Sequence, residues 1–566
     1  MSYPRQAEAL LRHLSIMPFL DRLAEASPES VDHDTWNAIV EQAARFAEGV
    51  IDPLDVTLDR IGARVEDGRV VCVPGHREAW ARFVGDGWLT LALPEESGGQ
   101  GLPLVLTTAC EELFNRASCA FTMLATPNRT AAAMLNGAAD AATCAAWVPK
   151  LASGEWAATI CISEPDAGSD VGRVRTRAMR GDDGSWRVTG EKCWISYGDH
   201  DLATRIGHCM IARSSDAPGV RGLSLFLVPN CGDDGTPNGV ALRRIEDKLG
   251  LHGSPTCALG FEGAHAIPIG EEGRGLQTLF HMMLLMRLAC APQGVGVAEA
   301  ALATALGYAR ERRQGGDPTA APVPIVAHPD VQRQLLRMAG RVEVARGLAL
   351  TAAAAMDLGE RAPEADRGAW LALAQFLLPL AKDLSARLAF DVASGALQVL
   401  GGAGYTQEWP VERYLRDARV FAVFEGTSGI QAIDMVHRRL WRDRGEGLAL
   451  FLAAARGDLA DDPRSASVSA VLDRLEEVMR TVDGWRSEVR EADAGATAFL
   501  ELCGLAVGGW IALRLVRFAG QDEVGRRLAA AADFYLAELP ALAEAEASLA
   551  TLGAARLDGF AAYVGS

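Results

Sequence analysis

The segment Val423–Gln431, VFEGTSGIQ, sets one carboxylate, Glu425, between an apolar run and a glycine, with Thr427 and Ser428 directly behind it. Ile430, Ile433, Met435 and Leu440 then recur at near-helical spacing, and His437, Arg438 and Arg439 follow toward the end, so a helix is predicted to start behind the glycine. Two chemistries are open to this arrangement. The carboxylate can be a solvated group at a helix mouth, favoured by the positive end of the dipole. Alternatively it faces a pocket as a proton acceptor, with the helix mouth part of a site.

Four further stretches could do chemistry. CISEPDAGSD, Cys161–Asp170, follows a strand-like run and supplies a turn with Pro165, Gly168 and two small hydroxyl residues; KCWISYGDHD starts at Lys192; ERR closes a helix at Glu311; QVLGGAGYTQEWPVERYLRD precedes the Glu425 segment. Each alone has a plain structural reading: a β-turn, a buried strand with a Trp anchor, an exposed helix end, a glycine helix terminator. Other patterns carry less. GVGVAE at Gly294 lies inside a helical stretch with no strand before it, so close helix packing is expected rather than a dinucleotide fingerprint. His200 and His208 lack a third ligand in pattern, so no metal is expected, and no Gly-x-Ser-x-Gly elbow presents a serine. Arg416 and Asp417 read as an ion-paired turn.

The elements that must position these residues change texture along the chain. Residues 1–154 read as helices broken by the turn-rich LPEESGGQGLPL; residues 155–270 carry short β-favouring runs between Gly, Asp and Pro clusters, suited to an antiparallel barrel or sandwich; residues 271–440 return to long helices with proline-marked breaks, as in an antiparallel bundle; residues 441–566 are a further helical, acidic segment. That segment is expected to pack on the bundle of its own or a neighbouring subunit.

At 566 residues and 49% hydrophobic, the chain has room for about three or four cored domains. A net charge of −18 disfavours wholesale binding to nucleic acid or anionic lipid. Eleven scattered cysteines suggest reduced thiols and a cytoplasmic location. No secretory signal is read at the N-terminus, and FLELCGLAVGGWIALRLVRF, with Glu501 and Arg514 inside it, reads as a buried helix rather than an integral membrane segment. The four lysines, against abundant arginine, read as base-composition bias.

In that order and at those separations, CISEPDAGSD, KCWISYGDHD, ERR, QVLGGAGYTQEWPVERYLRD and VFEGTSGIQ resemble the acyl-CoA dehydrogenase family over about residues 40–440. FVGDGWLTLALPEESGGQGLP, DKLGLHGSPTC, HPDVQRQLL and the tail resemble its longer subclass, which includes 3-methylmercaptopropionyl-CoA dehydrogenases. The resemblance implies FAD and an α+β, mostly α fold: an N-terminal helical domain, a central antiparallel β domain, a C-terminal four-helix bundle and an extra C-terminal helical domain.

It also implies roles. Ile162 and Ser163 meet the flavin ring, Trp194, Ile195 and Ser196 cover one of its faces, Ser169 lies near the phosphopantetheine, and Arg287 belongs to the substrate side. Arg312 and the backbone of Gln398, Val399, Leu400, Gly401 and Gly402 reach the FAD of a neighbouring subunit, which implies a homodimer or homotetramer; Thr427 and Ser428 meet the pyrophosphate. Glu425 takes the α-proton of an acyl-CoA, its backbone N–H and a flavin ribityl hydroxyl face the thioester oxygen, and hydride passes from the β-carbon to the flavin, then on to an electron-transferring flavoprotein. A minority of the family carries the base on a bundle helix just before an arginine, where this chain has Met286. Leu284 and Gly315 depart from the family pattern, and TQEWPVERYLRD follows its ordinary members more than the long subclass; these bear on the acyl group. An acyl-CoA oxidase using O2 is the alternative enzyme. A DNA-binding relative of the alkylation-response type is disfavoured by the tail, which from Trp441 onward has 13 arginines, no lysine and 20 acidic residues.

Overall fold

The computed structural model describes residues 2–565 apart from Pro28 and Ser30. Helices α1 (Tyr3–Ile16), α2 (Leu20–Ala26), α3 (His33–Phe46) and α4 (Asp52–Arg60) open the chain, followed by strands β1 (Arg64–Glu66) and β2 (Arg69–Val71) and helices α5 (His76–Gly85), α6 (Leu104–Ala117), α7 (Cys119–Ala138) and α8 (Ala141–Ala152). The β1–β2 hairpin interrupts a stretch predicted to be helical. Its loop residues Asp67 and Gly68 have φ of 49° and 77°, and Glu66 faces Arg69. An Asp-Gly pair favours this two-residue turn because both centres must be left-handed.

Strands β3 (Trp156–Cys161), β4 (Arg177–Arg180), β5 (Trp186–Ser196), β6 (Arg205–Arg213), β7 (Leu223–Pro229), β8 (Val240–Ile245) and β9 (Thr256–Ile269) form one sheet. The neighbours run β3-β6-β4-β5-β9-β7, with β8 on β9 and a further β6–β7 pairing, so the path returns to β6 and closes a barrel. Pairings are antiparallel as expected, except β3–β6 and β4–β6, which are parallel. The β4–β5 hairpin lies within the long crossover that the parallel β3–β6 pair requires. β6 between its two end arginines and the whole of β7 are buried because both faces are covered, with His208 and Ser224 the polar exceptions to an apolar run. Cys209, Ile211, Leu225 and Leu227 pack with Leu135 of α7 and Trp147 of α8, while Met210, Ala212, Phe226 and Val228 pack with Leu259 and Phe261 of β9.

Helices α9 (Gly275–Glu311), α10 (Pro329–Arg361), α11 (Glu364–Leu400), α12 (Val411–Ala418), α13 (Ser428–Ile433), α14 (Glu446–Gly457), α15 (Pro463–Gly484), α16 (Val489–Phe518), α17 (Glu523–Ala550) and α18 (Phe560–Val564) complete the chain. Compactness follows a different line from chain order: Met1–Arg45, Pro103–Arg116 and Arg287–Ser566 make one unit, and Phe46–Leu102 with Ala117–Met286 the other.

In the first unit, Val295 and Leu302 of α9, Leu335 and Val342 of α10, and Leu388 and Val392 of α11 share one core, closed by Val411 of α12. The GVGVAE stretch is a double helix crossing: a Cβ on Gly294 would fall 2.2 Å from the Ser385 carbonyl oxygen of α11, and one on Gly296 2.6 Å from the Glu112 carbonyl oxygen of α6. α16 and α17 pack along α10, so the tail covers the bundle of its own chain. α16 is long and apolar enough by composition to cross a membrane, yet 78% of its apolar window is buried within the protein. At the centre of this unit Arg346 of α10, 1% exposed, binds Glu112 of α6 at 2.7 Å and Glu299 of α9 at 2.9 Å, and also pairs with Glu343 one turn away.

The second unit buries three histidines. His76 lies against the Phe121 and Tyr197 rings at 5.5 and 6.1 Å, and neither of its nitrogens has a protein partner among the described residues. Burial pushes His76 down to about 3, and His200 and His208 down to about 4. Below the ordinary histidine value the unfolded chain takes up protons that these rings refuse, so stability present at neutral pH is lost as pH falls from about 6.5 toward about 4. His76→Phe should therefore gain about 2 kcal/mol on the parent between pH 7 and pH 5 in urea unfolding. Equal acid losses in the two proteins would contradict a neutral His76.

Candidate active site

Glu425 lies between the 3-10 turn Arg419–Ala422 that follows α12 and the start of α13. Its φ is 52° and that of Gly426 is 90°. Two consecutive left-handed residues take their carbonyls out of any helical ladder, so those oxygens need donors from elsewhere. Gln431 supplies both, its Nε2 donating to the Glu425 carbonyl at 3.1 Å and to the Gly426 carbonyl at 3.2 Å. Lys382 of α11 adds a third bond, Nζ to the Gly426 carbonyl at 2.6 Å. A Cβ at position 426 would sit 2.7 Å from Gln431 Nε2, so a side chain there would displace the amide that holds both carbonyls.

Behind the turn, the Thr427 hydroxyl accepts the Ile430 N–H at 3.3 Å and caps α13, which leaves its own hydrogen free to donate. The helix predicted through Leu440 is α-helical only to Ile433 and continues as a π-helix over Asp434–Arg442. The buried Asp434 accounts for the departure: Arg438 at 3.0 Å, Arg439 at 3.5 Å and Arg287 of α9 at 3.7 Å all reach it, and the wider turn brings consecutive arginines to one carboxylate.

Electrostatically the turn is uncommitted. The Glu425 carboxylate is half-buried and makes no hydrogen bond or ion pair among the described residues, and the Glu425 N–H has no acceptor there either. Desolvation raises the carboxyl pKa above its ordinary value, and Arg287 foremost, then Lys382, pull it back. Lys382 is wholly buried, and that burial lowers its own pKa. Cys290 of α9 faces the same region, its thiol pushed up to about 12 by burial and then by Glu425. Met286 belongs to the second unit, where it joins the core and its sulfur lies 3.4 Å from the Thr130 hydroxyl.

In the second unit, Ile162 and Ser163 leave the end of β3, and Trp194, Ile195 and Ser196 end β5. Glu164 and Lys192, 7% and 1% exposed, bind these two segments together. Lys192 Nζ reaches Glu164 at 2.9 Å and the Ile162 carbonyl at 2.7 Å, Glu164 also accepts the Arg175 and Thr176 N–H groups, and the Cys193 N–H donates to the Ser163 carbonyl. A register shift between Lys192 and Ile195 accompanies a left-handed Trp194, φ 64°, which leaves the indole 62% exposed while Ile195 stays buried. Ser169 is exposed on the turn after β3. Such an outward aromatic face beside backbone held from behind fits a planar heterocycle.

The remaining predicted residues lie in the first unit. Arg312 is exposed after α9, as are Gln398, Gly401 and Gly402 at the end of α11, whereas the Val399 and Leu400 side chains belong to the core, leaving only their backbone. A Cβ on Gly402 would meet nothing within 4 Å, so no contact within the chain demands glycine there. None of these groups bonds to the Glu425 turn among the described residues. Lys382, Gln431, Glu164 and Lys192 were not predicted to matter. Lysine scarcity is the signal for two of them: both are fully buried, out of four in the chain.

Three family models match: Acyl-CoA dehydrogenase, N-terminal domain, over residues 33–155; middle domain, over 159–264; and C-terminal domain, over 273–440. A 3-methylmercaptopropionyl-CoA dehydrogenase of Ruegeria pomeroyi is 37% identical over 537 residues, covering 91% of this chain and 90% of its own. The broad-specificity linear acyl-CoA dehydrogenase FadE5 of Mycobacterium tuberculosis is 33% identical over 443 residues, 74% of this chain and 72% of that one. Among solved structures, an acyl-CoA dehydrogenase of Bacillus anthracis complexed with FAD has a TM-score of 0.77 and 21% identity over 92% of this chain and 89% of that one, a likeness of fold.

Neutralising Glu164 would strand a buried ammonium. Glu164→Gln should lose about 3 kcal/mol or more in chemical unfolding, and adding Lys192→Met should recover much of it. Equal losses in the single and double variants would mean that the ion pair does not hold the two segments.

Proposed function

This chain belongs to the acyl-CoA dehydrogenase family, FAD-dependent oxidoreductases of the CH–CH group, and on that premise we propose that Glu425 is the base that takes the α-proton of an acyl-CoA thioester on the way to the trans-2-enoyl-CoA. One observation carries the reading: a desolvated carboxylate, unpaired among the described residues, on a left-handed turn held by three donor bonds. When bound, FAD supplies the two-electron acceptor for the hydride leaving the β-carbon.

The chain's own groups do the rest. Burial makes Glu425 a stronger base than a solvated glutamate, while Arg287 and Lys382 oppose that rise. The Glu425 N–H, without an acceptor among the described residues, is free to donate to the thioester oxygen as that atom turns enolate-like. Arg287 and Ser169 are assigned to the substrate. Ile162, Ser163, Trp194, Ile195 and Ser196 are assigned to the flavin, Thr427 and Ser428 to its pyrophosphate. The exposure of Arg312, Gln398, Gly401 and Gly402 supports their reaching a neighbour's FAD in a homodimer or homotetramer. Electrons pass to an electron-transferring flavoprotein. Nine cysteines packed as buried thiols support a cytoplasmic location.

For the acyl group, 3-(methylthio)propanoyl-CoA ranks first, on the 37% identity with the Ruegeria enzyme. A straight-chain fatty acyl-CoA ranks second, on the Mycobacterium relative. A panel of both, watched for bleaching of the flavin absorbance, tests the function; bleaching by none of them overturns it, and peroxide release in place of flavoprotein reduction would make the enzyme an oxidase. Glu425→Gln should keep its FAD and lose reduction by about a hundredfold or more. Near-normal reduction would place the base elsewhere.

A further inference from the structure

We propose that Lys382 is a positioning residue for the base: anchored on the Gly426 carbonyl, its ammonium holds the Glu425–Gly426 turn and keeps a fixed positive charge near the carboxylate without pairing with it. The inference rests on the reading of Glu425 as the base.

The geometry sets Lys382 apart from an ordinary buried lysine. It is wholly buried, yet its bond is to a carbonyl oxygen, 2.6 Å away, and it makes no ion pair with any carboxylate among the described residues. A neutral donor would suffice for a carbonyl, as Gln431 demonstrates on the same Gly426 oxygen. Burying an ammonium instead carries a large desolvation cost, so the charge itself needs a reason.

The surrounding charges narrow that reason. From α9, Arg287 and the Cys290 thiol face the region; from the π-helix, Asp434 is shared among Arg287, Arg438 and Arg439. On α11 itself the adjacent Asp383 is paired with Arg387 at 2.8 Å. Neither carboxylate ion-pairs with Lys382 among the described residues; Asp383 and then Glu425 are the acids whose charge favours its ammonium form, and only Glu425 lies on the turn that Lys382 anchors. Close pairing would tie the carboxylate down, whereas a cation anchored one residue away acts on it through space and leaves its oxygens open. An ammonium suits this role better than a guanidinium, being compact and able to end on a single carbonyl.

Three holoenzyme variants test the proposal. Lys382→Gln keeps a donor and removes the charge, Lys382→Arg keeps the charge and disturbs the fit, and Glu425→Gln removes the base. Two readouts are followed: the acid limb of the kcat/KM pH profile and, without substrate, the pH dependence of the carboxylic-acid C=O stretch that the parent shows and Glu425→Gln lacks. In Lys382→Gln both should move up by about one pH unit, because losing a nearby cation makes the carboxylate easier to protonate. In Lys382→Arg both should stay while kcat falls. If Lys382→Gln lowers thermal stability and leaves both titrations in place, the lysine is structural and the proposal is overturned. If Lys382→Gln does not fold, the Arg variant decides: a limb that moves with the charge retained also overturns it. Persistence of the acid limb in Glu425→Gln would instead sink the reading of the base.

Discussion

A charge removed from water must be answered inside the protein, and Arg346 shows what that demand does to architecture. Its guanidinium meets Glu112 from α6, Glu299 from α9 and Glu343 from its own helix; His13 of α1 bonds Glu343 at 3.0 Å, and Gln6 of α1 bonds Glu112 at 2.7 Å. No subset of these helices can shift without leaving a buried ion unmatched, a loss of about 3–5 kcal/mol. The glycines at 294 and 296 let α9 approach α11 and α6 closely enough for this, and α9 is also the helix that carries Arg287 and Cys290 toward the Glu425 turn. Burial of charge and placement of the site are thus one problem with a shared solution.

The same demand recurs at the segments assigned to chemistry, with different wording. Lys192 is matched by a carboxylate and a carbonyl, and the result is rigidity: two β segments joined from behind. Lys382 is matched by a carbonyl alone, and the result is a field that remains available. A buried lysine is therefore informative through what it does not touch as much as through what it does.

Much of this was legible in letters. Short β-favouring runs between turn residues read correctly as a sheet because a two-sided apolar strand and its breaks are local properties, and Gly294 and Gly296 read as helix contacts because no strand precedes them. The β1–β2 hairpin escaped because its strands have only three residues each, too few for periodicity, although Asp67-Gly68 carried the turn signal. The π-helix after Ile433 escaped because its cause, one aspartate shared by arginines of two elements, is tertiary. Glu425 stood out as a carboxylate among small residues; Lys382 and Gln431, which hold its backbone, lie in unremarkable helical text. The parallel β3–β6 pairing likewise depends on partners far apart in sequence.

The lysine count has a further consequence. Thioesters transfer their acyl groups to amines without help, and a guanidinium, always protonated, is a poor recipient. With Lys192 and Lys382 sealed inside, only Lys150, its side chain 43% exposed, and the partly buried Lys248 remain near solvent. A surface charged with arginine is therefore nearly inert to adventitious acylation, which for a catalyst living among activated acyl groups amounts to chemical self-protection.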